Sequence, residues 1–175
     1  YIWMDGEFTP WNEAKVHVLS HTLHYGNGAI EGTKAYKTVD GRCAIFKLNE
    51  HTQRLLNSSK MTLMNVPFTL EELNKAQIEL LQKNELFDGA YIRPLVYLGY
   101  GVMGLYHKDA PVKVSVSAWE WGAYLGEKLL RLTVSSYCRP HPKSIHIEAK
   151  ICGHYVNSIL ATTEAKDKGF VSLGK

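Results

Sequence analysis

Lys150 is the side chain with the widest chemical reach. It stands in EAKICGHYV, after an irregular stretch carrying Pro140 and Pro142 and ahead of a helical pattern. Its neighbours Ala149, Ile151, Cys152 and Gly153 make partly apolar surroundings. In its neutral form the amine attacks an aldehyde, so Lys150 is a candidate for covalent carbonyl chemistry. Arg54, in EHTQRLLNSS, offers on a short helix a planar fork suited to a phosphate. Tyr91 and Arg93 lie two apart in a strand pattern and so share a face, where phenol and guanidinium together can hold a carboxylate. His17, His21 and His24 have spacings that a helix would gather, but no Glu follows in H-E-x-x-H form, and no metal site is assigned. Singly, each residue also fits an ordinary role: a solvated lysine, a helix-surface arginine, edge-strand polarity.

The elements that must position these groups are partly legible. Asp5-Gly6 between apolar flanks, and Asp40-Gly41 between TKAYKT and RCAIFKL, read as two-residue hairpin turns. KVHVLSHTLHYGNGAIEG reads as a partly helical segment made permissive by Gly26, Gly28 and Gly32. Asn49 is the expected N-cap of a helix over EHTQRLLNSSKM. Thr69 and Glu72 form a capping box for a second helix, with Phe68 placed to staple onto Leu73 and with Leu73, Ala76 and Leu80 on the apolar face.

AYIRPLVYLG reads as a strand with Tyr91, Arg93, Leu95 and Tyr97 on one face; Pro94, lacking an N–H, predicts an edge or a bulge. VKVSVSAW predicts a strand that buries Val112, Val114, Val116 and Ala118, and LLRLTVSS a further strand over 129–136. HYVNSILATTEAKDKG predicts a helix closed by Gly169. The pattern is α+β: a small antiparallel-sheet-plus-helices domain over 1–120, an interdomain loop over 121–128, and the beginning of a second, larger domain over 129–175, which is too short to bury a core of its own.

Composition narrows the class. With 45% hydrophobic and 21% charged residues the chain is ordinary for a folded domain, which argues against disorder. A net charge of +3 without a Lys/Arg cluster does not point to nucleic acid. Cys43, Cys138 and Cys152 form no C-x-x-C pair, so neither a disulfide framework nor a zinc site is expected. No leader pattern and no apolar run of membrane-spanning length occurs, and a cytoplasmic protein is expected.

Taken in order, IWMDGEF, KVHVLSHTLHYGNGAIEG, KLNEHTQRLLNSSKM, GAYIRPLVYLG, WEWGAYLG and EAKICGHYVNSILA resemble the branched-chain amino acid aminotransferases, fold-type IV enzymes that use pyridoxal 5'-phosphate (PLP). The resemblance covers almost the whole chain and corresponds to the N-terminal portion of the family. It implies transamination between Leu, Ile or Val and 2-oxoglutarate, in branched-chain amino acid biosynthesis. By this likeness Lys150 holds PLP covalently and carries the catalytic proton, Arg54 grips the PLP phosphate, and Tyr155 stands near the cofactor's phenolic oxygen. Tyr91 is implied in holding the substrate α-carboxylate and Arg93 in receiving the distal carboxylate of glutamate. Tyr124 matches an aromatic covering the substrate. Tyr25 matches a residue that reaches a neighbouring subunit's pocket, which implies a homodimer or a higher homo-oligomer.

The chain departs from the pattern in three places. Ile30 replaces a common aromatic in the pocket wall, and Lys34 stands where arginine is usual. The stretch between Tyr124 and Ser135 is shorter than usual. The family's remaining parts, among them the glutamate that pairs with the pyridinium nitrogen, lie beyond Lys175, so an incomplete site is expected. The same fold and lysine serve D-amino acid aminotransferases and aminodeoxychorismate lyases, and a non-catalytic folded fragment is the alternative from another class.

Overall fold

A computed structural model of the chain describes residues 1–122 and 129–170. Seven strands and four helices follow one another as β1 (Ile2–Met4), β2 (Glu7–Thr9), α1 (His21–Tyr25), β3 (Gly28–Ile30), β4 (Thr33–Lys37), β5 (Cys43–Ile45), α2 (Leu48–Met61), α3 (Leu70–Lys83), β6 (Ala90–Leu98), β7 (Val112–Glu120) and α4 (Tyr155–Asp167). The strands form one antiparallel sheet in the order β2-β1-β7-β6-β4-β5, with β3 also paired to β6. The fold is α+β, as the alternation of short strands and amphipathic helices requires.

β6 and β7 make the spine, paired from Ala90↔Glu120 to Leu98↔Val112. Their period-two pattern separates two faces. Ile92, Val96, Val114, Val116 and Ala118 are buried in the core with Leu55 of α2 and Leu73 and Leu80 of α3. Val112 is only partly buried. The other face carries Tyr91, Arg93, Ser117 and Trp119. α3 begins at the expected box: Thr69 Oγ1 accepts from the Glu72 N–H at 3.2 Å and Glu72 Oε2 from the Thr69 N–H at 2.7 Å. Thr69→Ala is expected to cost about 1 kcal/mol, read as a lower urea midpoint with an unchanged slope. Phe68 meets the ring of Trp3 edge-on at 5.0 Å.

The two-residue turn at Asp5-Gly6 forms as expected, and other expectations are corrected. The Asp5-Gly6 turn closes a tight hairpin, Met4↔Glu7, with both turn residues at positive φ. The Asp40-Gly41 turn is longer than two residues: Thr38 N–H donates to Arg42 O at 2.8 Å, and Gly41 takes φ 81°. Helix α2 starts at Leu48 behind Lys47, so Asn49 lies inside its first turn, where Oδ1 accepts from Asn74 at 2.7 Å. His17 lies outside α1, and no single helix face gathers the three histidines.

The segment 129–136 is not a strand. Alternation makes a strand only when a neighbour supplies the ladder, and Leu129 and Val134 stand exposed. Ser135 and the Ser136 N–H instead donate to Glu164 of α4. α4 itself ends as expected: Gly169, at φ 74°, donates to Lys166 O and Phe170 to Ala165 O, both at 2.9 Å, a Schellman closure.

Pro94 sits in neither an edge strand nor a bulged one. β6 is central, and Pro94 pairs with Val116 on the β7 side. Its missing N–H falls on the opposite side, where Glu31 N–H donates to Pro94 O at 3.0 Å but receives nothing back. The pairs Ile30↔Leu95 and Thr33↔Ile92 keep one register, so β3 and β4 are one strand line interrupted at Glu31-Gly32, opposite Pro94.

Candidate active site

The break between β3 and β4 organises the chemistry. On its N-terminal side, Ile30 N–H donates to Lys150 O at 3.0 Å, and Ala29 bridges to Ile151. From α2, Ser58 Oγ accepts the Lys150 N–H at 3.0 Å. The backbone of Lys150 is thus fixed from both sides, and neither bond engages its side chain. Nζ lies 5.6 Å from the centroid of the Tyr155 ring and has no carboxylate partner among the described residues.

One helical turn before Ser58, Arg54 is held by Glu31. Nη2 donates to Oε2 at 2.8 Å and Nε donates to Oε1, a bidentate grip. His51 Nδ1 lies 2.9 Å from the same Oε2, and the Gly32 N–H donates to it at 3.2 Å. Glu31 is fully buried, whereas the Arg54 side chain is 51% exposed. Burial works most strongly against ionising Glu31, yet the bonds from Arg54, His51 and Gly32 outweigh it and hold the carboxyl below its usual range. The hydrogen bond to Glu31 in turn raises the Arg54 guanidinium further.

On the C-terminal side of the break, Gly32 lies against Tyr91. A Cβ there would fall 1.8 Å from the Tyr91 hydroxyl oxygen, so only glycine admits this ring. The Tyr91 oxygen accepts from Arg93 Nη2 at 3.1 Å. The Arg93 guanidinium lies 5.2 Å from the Tyr91 ring centroid and 5.9 Å from that of Trp119. Trp121 completes the aromatic shelf, 4.7 Å from Tyr91 and stacked 5.7 Å from Trp119. Arg93 Nε is buried and has no hydrogen-bond partner among the described residues.

One cavity of 760 Å³ joins the two sides of the break, and of the two tryptophans only Trp121 is on its wall. Lys150, Arg54, Tyr91, Arg93 and Tyr155 all line it. Among the described residues its walls carry five lysine and arginine side chains (Lys34, Arg54, Arg93, Arg139 and Lys150) against one carboxylate, Glu148, a balance that favours anions. Lys34 reaches the Gly122 carbonyl at 3.3 Å with one donor, where a guanidinium would offer a fork. His154 is also on the wall; burial pushes its imidazole down, toward the neutral form.

The remaining sequence candidates lie elsewhere. Ile30 is 8% exposed and is not on the cavity wall; its contribution is the backbone bond to Lys150. Tyr25 borders a separate hollow beside Gly26 and Gly153, and its hydroxyl accepts from the Gly104 N–H at 3.2 Å. Tyr124 lies outside the described residues, as does most of the expected loop 121–128. Sequence reasoning passed over Glu31, Ser58, Trp121 and Arg139. Only Glu31 left a local trace, a carboxylate set between Ala29-Ile30 and Gly32 in an otherwise apolar strand.

Comparison with known proteins places the chain in a family. The family described as amino-transferase class IV matches residues 28–172. The chain is 44% identical over 172 residues to the branched-chain-amino-acid aminotransferase of Pseudomonas aeruginosa, covering 96% of this chain and 55% of that protein. It is 40% identical over 179 residues to the enzyme of the same name from Escherichia coli K12, covering 97% and 56%. The chain therefore spans about half the length of the curated relatives it matches.

Among solved structures, the Escherichia coli branched-chain amino acid aminotransferase superposes with a TM-score of 0.90 at 38% identity, over 98% of this chain and 57% of that one. The branched-chain aminotransferase of Thermoproteus uzoniensis with norvaline gives 0.92 at 37% identity, over 97% and 57%. A further branched-chain amino acid aminotransferase, complexed with N-(5'-phosphopyridoxyl)-L-glutamate, gives 0.91 at 45% identity, over 97% and 56%. With the matched family region extending from β3 through the lysine segment and α4, this chain belongs to the class IV aminotransferases.

Proposed function

We propose that the chain is the lysine-bearing portion of a PLP-dependent transaminase that moves an amino group between branched-chain L-amino acids and 2-oxoglutarate. The observation that carries this reading is the single cavity in which an amine without an acid partner, Lys150, stands among cations and an aromatic shelf.

The residues fit the cofactor. Arg54 would hold the phosphate with its pinned guanidinium, Lys150 would supply the amine for the aldehyde, and Tyr155 would offer a phenol from the same wall. When bound, PLP supplies an electron sink that makes the substrate's α-C–H acidic. Lys150 Nζ takes that proton from Cα and returns one later, which is general acid–base work. Tyr91 and Arg93 offer a phenol and a guanidinium to substrate carboxylates, and Trp121 with Ala149 and Ile151 gives aliphatic side chains an apolar wall.

Further parts of the reading concern the surroundings. Residues beyond 128 belong to a larger cofactor-binding domain. Tyr25, 44% exposed and outside the cavity, serves a neighbouring copy in a homodimer or a higher assembly. The cytoplasm suits three cysteines that form no disulfide. No helix among the described residues is long and apolar enough to cross a membrane.

The test is an absorbance spectrum of the chain with PLP, borohydride reduction and peptide mapping, followed by a substrate panel. A reduced adduct on Lys150, with amino transfer from L-leucine to 2-oxoglutarate, is the expected result. Transfer from D-alanine but not from L-leucine would reassign the substrate class. No adduct at Lys150 would remove the cofactor assignment.

A further inference from the structure

Glu31 presents an electrostatic contradiction. A fully buried carboxylate lies directly behind the one guanidinium on α2 that faces the cavity, and a negative charge there repels any phosphate that Arg54 would bind. Such a group costs desolvation and local anion affinity alike, so its contribution must be geometric.

The geometry supplies one. Glu31 takes the Nε and Nη2 edge of the guanidinium and leaves Nη1 and the second Nη2 proton for a ligand. Without it, Arg54 is a half-exposed helix arginine with many rotamers. Glu31 is itself fixed twice more, by His51 and by the Gly32 N–H, and its own N–H is bonded to Pro94 O. The same short segment, Ile30-Glu31-Gly32, bonds the Lys150 backbone and sets Tyr91. Arg54 is therefore referenced to the lysine through one rigid stretch of main chain.

We infer that Glu31 is a positioning residue for phosphate recognition: it locks the Arg54 fork at a set distance from Lys150. The inference rests on the reading of the cavity as a PLP site and adds to it a residue that touches neither cofactor nor substrate.

The two roles open to Glu31 predict opposite signs. If it only neutralises Arg54, removing its charge tightens phosphate binding. If it positions Arg54, removing it weakens binding in spite of the added positive charge. The experiment is an absorbance titration of the chain and of Glu31→Gln with PLP and, in parallel, with pyridoxal, which lacks the phosphate. The amide has one acceptor oxygen and sets an NH2 donor where the second one stood, so it cannot reproduce the two-oxygen fork, and PLP affinity is expected to fall about 10- to 100-fold, with pyridoxal affinity changed by less than about 3-fold.

A second readout needs no cofactor. In nitrogen-15 NMR of the unliganded chain, the Arg54 Nε–H should exchange slowly in the wild type and rapidly in the variant. Unchanged or tighter PLP binding by Glu31→Gln overturns the positioning role and leaves the PLP reading standing. A wild-type chain that binds PLP no better than pyridoxal removes the phosphate grip, and both readings fall together. Should Glu31→Gln show no cooperative melt, Glu31→Asp carries the same prediction with a smaller loss; full PLP affinity in that variant overturns the inference.

Discussion

Replacing Lys150 by alanine is expected to abolish the borohydride-trapped PLP adduct and to lower amino transfer by at least about 10⁴-fold, the upper range for a positioned general acid–base group. The size follows from how the residue is held. Both bonds that fix Lys150 in place use main-chain atoms, N–H to Ser58 Oγ and C=O from Ile30 N–H. Alanine keeps both, so the helix α4 and the β3 strand stay where they are and only the amine is lost. The melting transition should then lie within about 0.5 kcal/mol of the wild type, while the adduct disappears from the peptide map. A variant that melts normally and still gives a trapped adduct elsewhere would move the covalent site to another lysine. Lys34, on the same cavity wall, is the first to examine. A variant that fails to melt cooperatively would show that the aliphatic stem of Lys150 packs more than its surroundings indicate, and Lys150→Met, which retains the stem, would then separate the amine from its packing.

What the sequence disclosed depended on the range of the interaction. β7 was legible because alternation is local: Val114, Val116 and Ala118 are buried, and the intervening residues are not. The Thr69 box was legible because its two bonds join residues three apart. Pro94 misled because its missing donor matters only relative to what stands opposite. Ordinary reasoning sends such a proline to an edge, whereas here a central strand tolerates it by breaking its neighbour at Glu31-Gly32. The same break shapes the site: Glu31 and Gly32, at the interruption, hold Arg54 and admit Tyr91, and Ile30, the last paired residue before it, bonds Lys150.

The segment 129–136 misled in the other direction. Its alternation met the local criterion, but a strand is completed only by a partner, and its contacts run through Glu164 instead. As for the cavity, Lys150, Arg54, Tyr91, Arg93 and Tyr155 were individually ordinary in sequence, and only the resemblance ordered them. Glu31 could not have been assigned from sequence, because the meaning of a buried carboxylate depends on a guanidinium 23 positions away.

Arg93→Met is expected to separate the two substrates of the proposed reaction. The guanidinium is laid over Tyr91 and Trp119, bonded to the Tyr91 hydroxyl, and left with a buried Nε that none of the described residues satisfies. A donor in that state gains most from an anionic ligand, because the cost of its burial is already present. The distal carboxylate of glutamate or 2-oxoglutarate supplies such an anion; the side chain of leucine does not.

Methionine keeps an unbranched apolar stem while removing the charge. The glutamate half-reaction should therefore lose on the order of 10² in kcat/KM, equivalent to about 3 kcal/mol for a hydrogen-bonded charge. The leucine half-reaction should change by less than about 5-fold, since its side chain meets the apolar part of the wall at Trp121. Single-turnover kinetics with each amino acid alone keep the two halves apart. Equal losses for both would mean that Arg93 serves the α-carboxylate common to them, and that another of the wall cations receives the distal group. Lys34 and Arg139 are the candidates there, and the Lys34→Met variant would then take the glutamate-selective loss that Arg93→Met failed to show.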